Sequence, residues 1–152
     1  MGKYLNPGNS GFAELLNSDY IDKTRIISLI NQRINSPKKL ICISRPRRFG
    51  KSYAAQMLCA YYDYTCDSHE LFVDYKISKE PTYEKHINKY QVICLDLTQL
   101  MEEAGDVPID DYIKLKVTEE LKAAYPDLVI DSSFTTTLIE RDTRASMISS
   151  RL

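Results

Sequence analysis

The stretch 43-ISRPRRFGKS-52 decides how this chain is read. Its second half, Gly50-Lys51-Ser52, matches the end of a phosphate-binding loop, whose general pattern is G-x-x-x-x-G-K-[ST]. Five residues before Gly50, where that pattern has its first glycine, stands Arg45. The segment is therefore either a nucleotide loop with an unusual approach or a basic turn that contains Gly-Lys-Ser.

The flanks favour the loop. Leu40, Ile41, Cys42 and Ile43 form a short, continuously apolar run, which suits a parallel strand covered on both faces. From Lys51 onward Ala54, Met57, Leu58 and Tyr61 share a helical face. Strand, loop and helix in that order are the context a phosphate loop requires. The helix N-terminus supplies amides and a dipole for an anion, and Gly50 lets the main chain approach without a Cβ. Lys51 would then meet the β- and γ-phosphates, and the Ser52 hydroxyl would ligate Mg²⁺. Pro46 biases Arg45 toward an extended backbone, so arginine can continue the strand where other loops use glycine. Arg47 and Arg48 add charge beside the phosphates or face solvent.

Bulk composition makes any attraction for phosphate local. Of 152 residues, 20 are Lys or Arg and 21 are Asp or Glu, so the net charge of −1 gives no global case for nucleic acid or membranes. At 43% hydrophobic and 27% charged, the chain is globular in composition and long enough for one domain. The apolar runs are too short to span a bilayer, and the N-terminus has no signal-peptide core. The expectation is a cytoplasmic protein. Cys42, Cys59, Cys66 and Cys94 lack C-x-x-C spacing, so free thiols are expected rather than disulfides; Cys66 and His69 are spaced as half a zinc site without a second half.

Along the chain, residues 1–11 read as a flexible leader, 12–144 as the domain and 145–152 as a frayed tail. Ile26, Ile27, Ile30 and Ile34 predict an amphipathic helix with Asp22 as N-cap. Short helical pieces follow the loop helix, with Ser68 and Thr82 as caps. Val92–Leu97 predicts a second apolar strand with Asp96 near its end. Ile109, Tyr112, Ile113, Val117 and Leu121 mark the clearest helix, opened near Pro108 and stopped at Pro126. A last helix, capped by Ser132 or Ser133, is predicted over SSFTTTLIERDT. Tyr61, Tyr62 and Tyr64 read as core packing with hydroxyls reaching water, and His86 as exposed.

Tyr20-Ile21-Asp22-Lys23-Thr24, then the amphipathic helix, RPRRFGKS and VICLDL, resemble in that order the AAA-ATPase-like family of bacterial and archaeal proteins. Its members carry a Y-[VI]-D-K-T element and an arginine-rich loop, often with a nuclease-like domain further along. The resemblance covers about residues 12 to 100. It makes Arg45 a family variant, and implies an α/β P-loop NTPase of three-layer architecture with parallel strands. It also implies ATP and Mg²⁺ as ligands, with Arg45, Pro46, Arg47, Arg48, Phe49, Gly50, Lys51 and Ser52 forming the binding loop.

Hydrolysis asks for more. Family members hold Mg²⁺ partly through an apolar strand ending in Asp-Glu, and no such element is visible here. Asp96 has a strand context but comes too early and precedes a leucine; Asp131 and Glu140 lack a suitable strand. Asp96 is a candidate metal ligand, with closure of a strand by a polar residue as the plainer reading. The chain thus reads as an ATP-binding P-loop protein, incomplete at its C-terminal side and ending before its catalytic acid. The alternative is a non-catalytic fragment whose arginines contact nucleic acid or a protein partner.

Overall fold

Helical spacing of apolar residues dictates much of the backbone. The computed structural model describes residues 2–44, 46 and 48–128. Seven α-helices occur among them: α1 (Ser10–Leu16), α2 (Arg25–Asn31), α3 (Lys51–Tyr62), α4 (His69–Phe72), α5 (Tyr83–His86), α6 (Leu97–Ala104) and α7 (Ile109–Ala124), with a 3₁₀ turn at Lys76–Lys79. Arg45, Arg47, Asp131, Glu140, the helix predicted over SSFTTTLIERDT with its caps Ser132 and Ser133, and the tail 145–152 lie outside the described residues.

The expected three-layer α/β architecture with parallel strands is corrected by this structure: the described residues are helical and form no sheet. The physical reason lies in the two apolar runs. A strand takes its backbone hydrogen bonds from neighbouring strands, so an apolar run without a neighbour cannot become one. Leu40–Ile43 has no ladder partner among the described residues, and Leu40 and Ile43 are 49% and 40% exposed. Val92–Leu97 does not form a strand either. Its first residues make a single antiparallel bridge, Ile93 with Leu5, and Asp63 with Tyr90 makes a separate parallel one.

That bridge docks the segment expected to be a flexible leader. Cys94 N–H donates to the Tyr4 carbonyl at 2.8 Å, Asn6 N–H to the Val92 carbonyl at 2.7 Å, and Val92 N–H to Asn6 Oδ1 at 2.8 Å. Glu120 on α7 accepts the amides of Lys3, Tyr4 and Leu5. Further on, Gly8 N–H donates to the wholly buried carboxylate of Asp63 at 2.6 Å. Tyr4, Leu5 and Asn6 are all buried as a result.

The core is aromatic and centred on α3. Phe12 stacks on Phe72 with centroids 5.0 Å apart, and Tyr61 meets Tyr62 and Phe72 edge-on. Ile27, Ile30, Met57, Ile77 and Ile87 fill the gaps between these rings. The predicted stripe of the loop helix holds, since Ala54, Met57 and Tyr61 are buried and Leu58 packs against the core. The stripe of α7 is shallower: only Val117 is buried. Tyr64 is exposed, but the hydroxyls of Tyr61 and Tyr62 do not reach water. Tyr62 donates to Asn31 Oδ1 at 2.7 Å, Tyr61 donates to the Tyr83 carbonyl at 3.1 Å, and Asn31 Nδ2 donates to the Tyr61 hydroxyl at 3.2 Å. Burial is what pushes both phenols well above their ordinary pKa.

One further side chain differs from expectation. His86 is 4% exposed and hydrogen-bonds through Nδ1 to the Tyr90 hydroxyl. Asn88, at φ 51, closes the end of α3 by donating to the carbonyls of Ala60 and Asp63. Among the cysteines, Cys59 is buried, and the influence of the Cys94 thiol together with burial pushes the Cys59 thiol up. Cys42 is exposed.

Candidate functional site

The loop is set by two left-handed residues. Arg48 has φ 67 and Gly50 has φ 71, ψ 35. Glycine adopts this conformation without the Cβ–carbonyl crowding that costs other residues about 1–2 kcal/mol. The reversals fold the segment back on itself, so that Lys51 Nζ donates to the carbonyl of Pro46 at 3.1 Å. α3 begins at Lys51, its first backbone hydrogen bond running from Ala54 N–H to the Gly50 carbonyl at 3.0 Å.

Among the described residues no side chain caps α3, and its first turn contains no acid. The amides of Ser52 and Tyr53 make no hydrogen bond to any described residue. A helix head of this kind presents partial positive charge and unsatisfied donors, which suit an anion. Ser52 is exposed at the second position of the helix, so its hydroxyl is accessible beside those amides. Arg48 is exposed, and Phe49 and Tyr53 are 61% and 51% exposed next to it.

A second ammonium reaches the same loop from the Tyr20–Thr24 turn. Lys23 Nζ donates to the Phe49 carbonyl at 3.1 Å, and a Cβ built on Gly50 would lie 2.3 Å from that nitrogen. The rest of the turn explains how Lys23 is aimed. Thr24 is fully buried at the N-terminal boundary of α2, and both its amide and its hydroxyl donate to Asp22 Oδ1, at 2.8 and 2.7 Å. Burial works to raise the Asp22 pKa, but these bonds and one from the Lys76 amide outweigh it and hold the carboxyl below its ordinary value. Asp22 therefore stands two residues before the cap position that sequence assigned to it. Tyr20 donates to Met57 Sδ on α3 at 3.1 Å and accepts the Lys23 amide at 3.4 Å.

Asp96, the candidate metal ligand from sequence, caps α6. Its Oδ1 accepts the amides of Thr98 at 3.0 Å and Gln99 at 3.3 Å. Among the described residues no group of three His, Cys, Asp or Glu side chains could hold a metal ion. Cavities of about 290 and 480 Å³ lie along the N-terminal segment and α7, and neither is lined by residues of the loop. No helix among the described residues is long and apolar enough to cross a membrane.

The structure thus brings Pro46, Phe49, Gly50, Lys51 and Ser52 together at one helix head and adds Lys23 to them. The sequence signal for Lys23 was its place in Y-I-D-K-T, upstream of the loop by a whole helix. The model of one protein family, described as predicted AAA-ATPase, matches residues 8–146. No curated protein matches the chain, and no solved structure does.

Proposed function

Because this chain belongs to the AAA-ATPase-like family, we propose that it binds ATP with Mg²⁺ through the loop from Arg45 to Ser52. The observation that carries the reading is the head of α3: without a side-chain cap among the described residues, free of acids in its first turn, opened by a left-handed Gly50, with the Lys51 ammonium folded back over the loop onto Pro46. The amides of Ser52 and Tyr53 would take phosphate oxygens, and Lys51 would exchange the Pro46 carbonyl for the more strongly bound phosphates. The exposed Ser52 hydroxyl is the protein's contribution to Mg²⁺, which supplies charge neutralisation between the phosphates.

Hydrolysis needs a carboxylate on the metal and a group that orients water. Asp96 is the described residue that sequence offered for the first role, and its carboxylate is committed to two amides of α6.

A thermal-shift titration tests the proposal. A ligand at 100 times its Kd stabilises by about 2.7 kcal/mol, which for a domain of this size raises Tm by roughly 5–10 °C. Mg²⁺–ATP should produce that rise, and Lys51→Ala should remove it while leaving the ligand-free Tm within about 2 °C, as expected for an exposed side chain. The exposed Arg48, Phe49 and Tyr53 favour a second reading, a surface that holds single-stranded nucleic acid. That reading requires affinity for an oligonucleotide that falls steeply with salt, and no shift with ATP.

A further inference from the structure

We propose that Lys23 is a second phosphate-contacting cation of this loop, delivered from the Tyr20–Thr24 turn to the head of α3; the inference rests on the phosphate-binding reading above. The position of the ammonium is the first ground. It lies beside Gly50 so closely that a Cβ there would sit 2.3 Å from Nζ, and its bond to the Phe49 carbonyl is 3.1 Å long. The Lys23 ammonium therefore stands at Gly50, the N-cap residue of α3, beside the helix head that begins at Lys51.

The second ground is charge. Lys23 makes no ion pair among the described residues, although Asp22 is its chain neighbour. The Asp22 carboxylate is turned to the amide and hydroxyl of Thr24. An ammonium carries three donors, and among the described residues Lys23 Nζ uses one, on a neutral carbonyl. Exchanging that carbonyl for a phosphate oxygen converts a neutral acceptor into a charged one, roughly doubling the strength of the bond.

The third ground is that Lys23 is held in place by the helix that follows the loop. Tyr20 ties the Lys23 amide to Met57 of α3, and Thr24 is fully buried at the start of α2. The Asn31–Tyr62 hydrogen bond fixes the far end of α2 on the same helix. The backbone of Lys23 is thus registered against α3 at both ends of α2, and its side chain need only swing at its tip.

The test is a calorimetric titration of the full chain with Mg²⁺–ATP, comparing wild type with Lys23→Met, Lys23→Arg and Lys51→Ala, beside a labelling measurement on the wild type. Loss of a charge-assisted hydrogen bond should weaken Lys23→Met about tenfold or more, while Lys23→Arg stays within about threefold. The Lys23→Met affinity should also depend less on salt, because one phosphate contact is gone. On the unmodified chain, Mg²⁺–ATP should slow acylation of Lys23 by an amine-reactive ester, an effect that a purely structural lysine would not show. Wild-type affinity in Lys23→Met, or a Lys23 labelling rate indifferent to Mg²⁺–ATP, overturns the inference. If Lys51→Ala loses binding in the same series, the loop reading stands and Lys23 alone is excluded. If the wild type does not bind Mg²⁺–ATP, both readings fall.

Discussion

Replacing Tyr62 by phenylalanine removes a single oxygen from the contact that holds α2 against α3. Tyr62 is 1% exposed and Asn31 is 5% exposed, and their hydrogen bond is 2.7 Å long. The Asn31 amide nitrogen is already committed to Tyr61 and Thr82, at 3.2 Å each. Without the Tyr62 hydroxyl, Asn31 Oδ1 becomes a buried acceptor with no described donor. Such an orphan costs about 1–3 kcal/mol, whereas phenylalanine fills the ring's volume and adds no cavity term. Taking about 2 kcal/mol, and 2–4 °C per kcal/mol for a domain of this size, Tm should fall by roughly 4–8 °C. Far-UV circular dichroism on heating reads this directly. Asn31→Leu supplies the control, since with the acceptor gone the hydroxyl has nothing to donate to there. Tyr62→Phe in that background should cost less than about 0.5 kcal/mol or stabilise, a coupling of about 1 kcal/mol or more. A Tm drop below 1 °C for the single variant, or strict additivity in the pair, would refute the network.

Two other perturbations probe the fold. Asp63→Ala strips the acceptor from the amides of Gly8 and Thr65 and from the Thr65 hydroxyl, so the N-terminal segment should detach; amides of residues 4–6 should exchange hydrogen at least about tenfold faster, as expected when a buried charged acceptor is lost. Burial, with a smaller contribution from Lys85, lowers the His86 pKa below the ordinary 6.5. The unfolded chain therefore binds a proton that the folded chain refuses, so stability is full above pH 6.5 and declines as pH falls from there through the lower folded pKa. His86→Phe should flatten that part of the pH–Tm profile, and an unchanged slope would exclude His86 as its source.

Helices were legible where apolar spacing stated which face is covered. The isoleucines of α2 and the Ala54–Met57–Tyr61 face of α3 needed only the 3.6-residue period, because each helix closes its own backbone bonds. The strands were misread for the complementary reason. An apolar run reports a demand for burial but not the partner that supplies a ladder, and neither Leu40–Ile43 nor Val92–Leu97 finds one among the described residues. The contacts of the N-terminal segment were not legible because Pro7, Gly8 and Gly11 signal a loop, and loop composition is silent about docking through Glu120 and Asp63. Long-range polar bonds of this kind carry no periodic signal. Within the candidate site, Gly50-Lys51-Ser52 stood out by its spacing and the helix that follows it, while the strand expected before it does not form. The approach of Lys23 to Phe49, a contact between residues 26 apart, required the packing of α2 on α3.

Calorimetry of Mg²⁺–ATP against the wild-type chain and Lys51→Ala decides whether the turn at Gly50 and the Lys51 ammonium hold a triphosphate. A single saturable site that needs Mg²⁺ and disappears in Lys51→Ala is the predicted result. No heat of binding to the wild type at millimolar Mg²⁺–ATP, or equal binding by the two proteins, would contradict it.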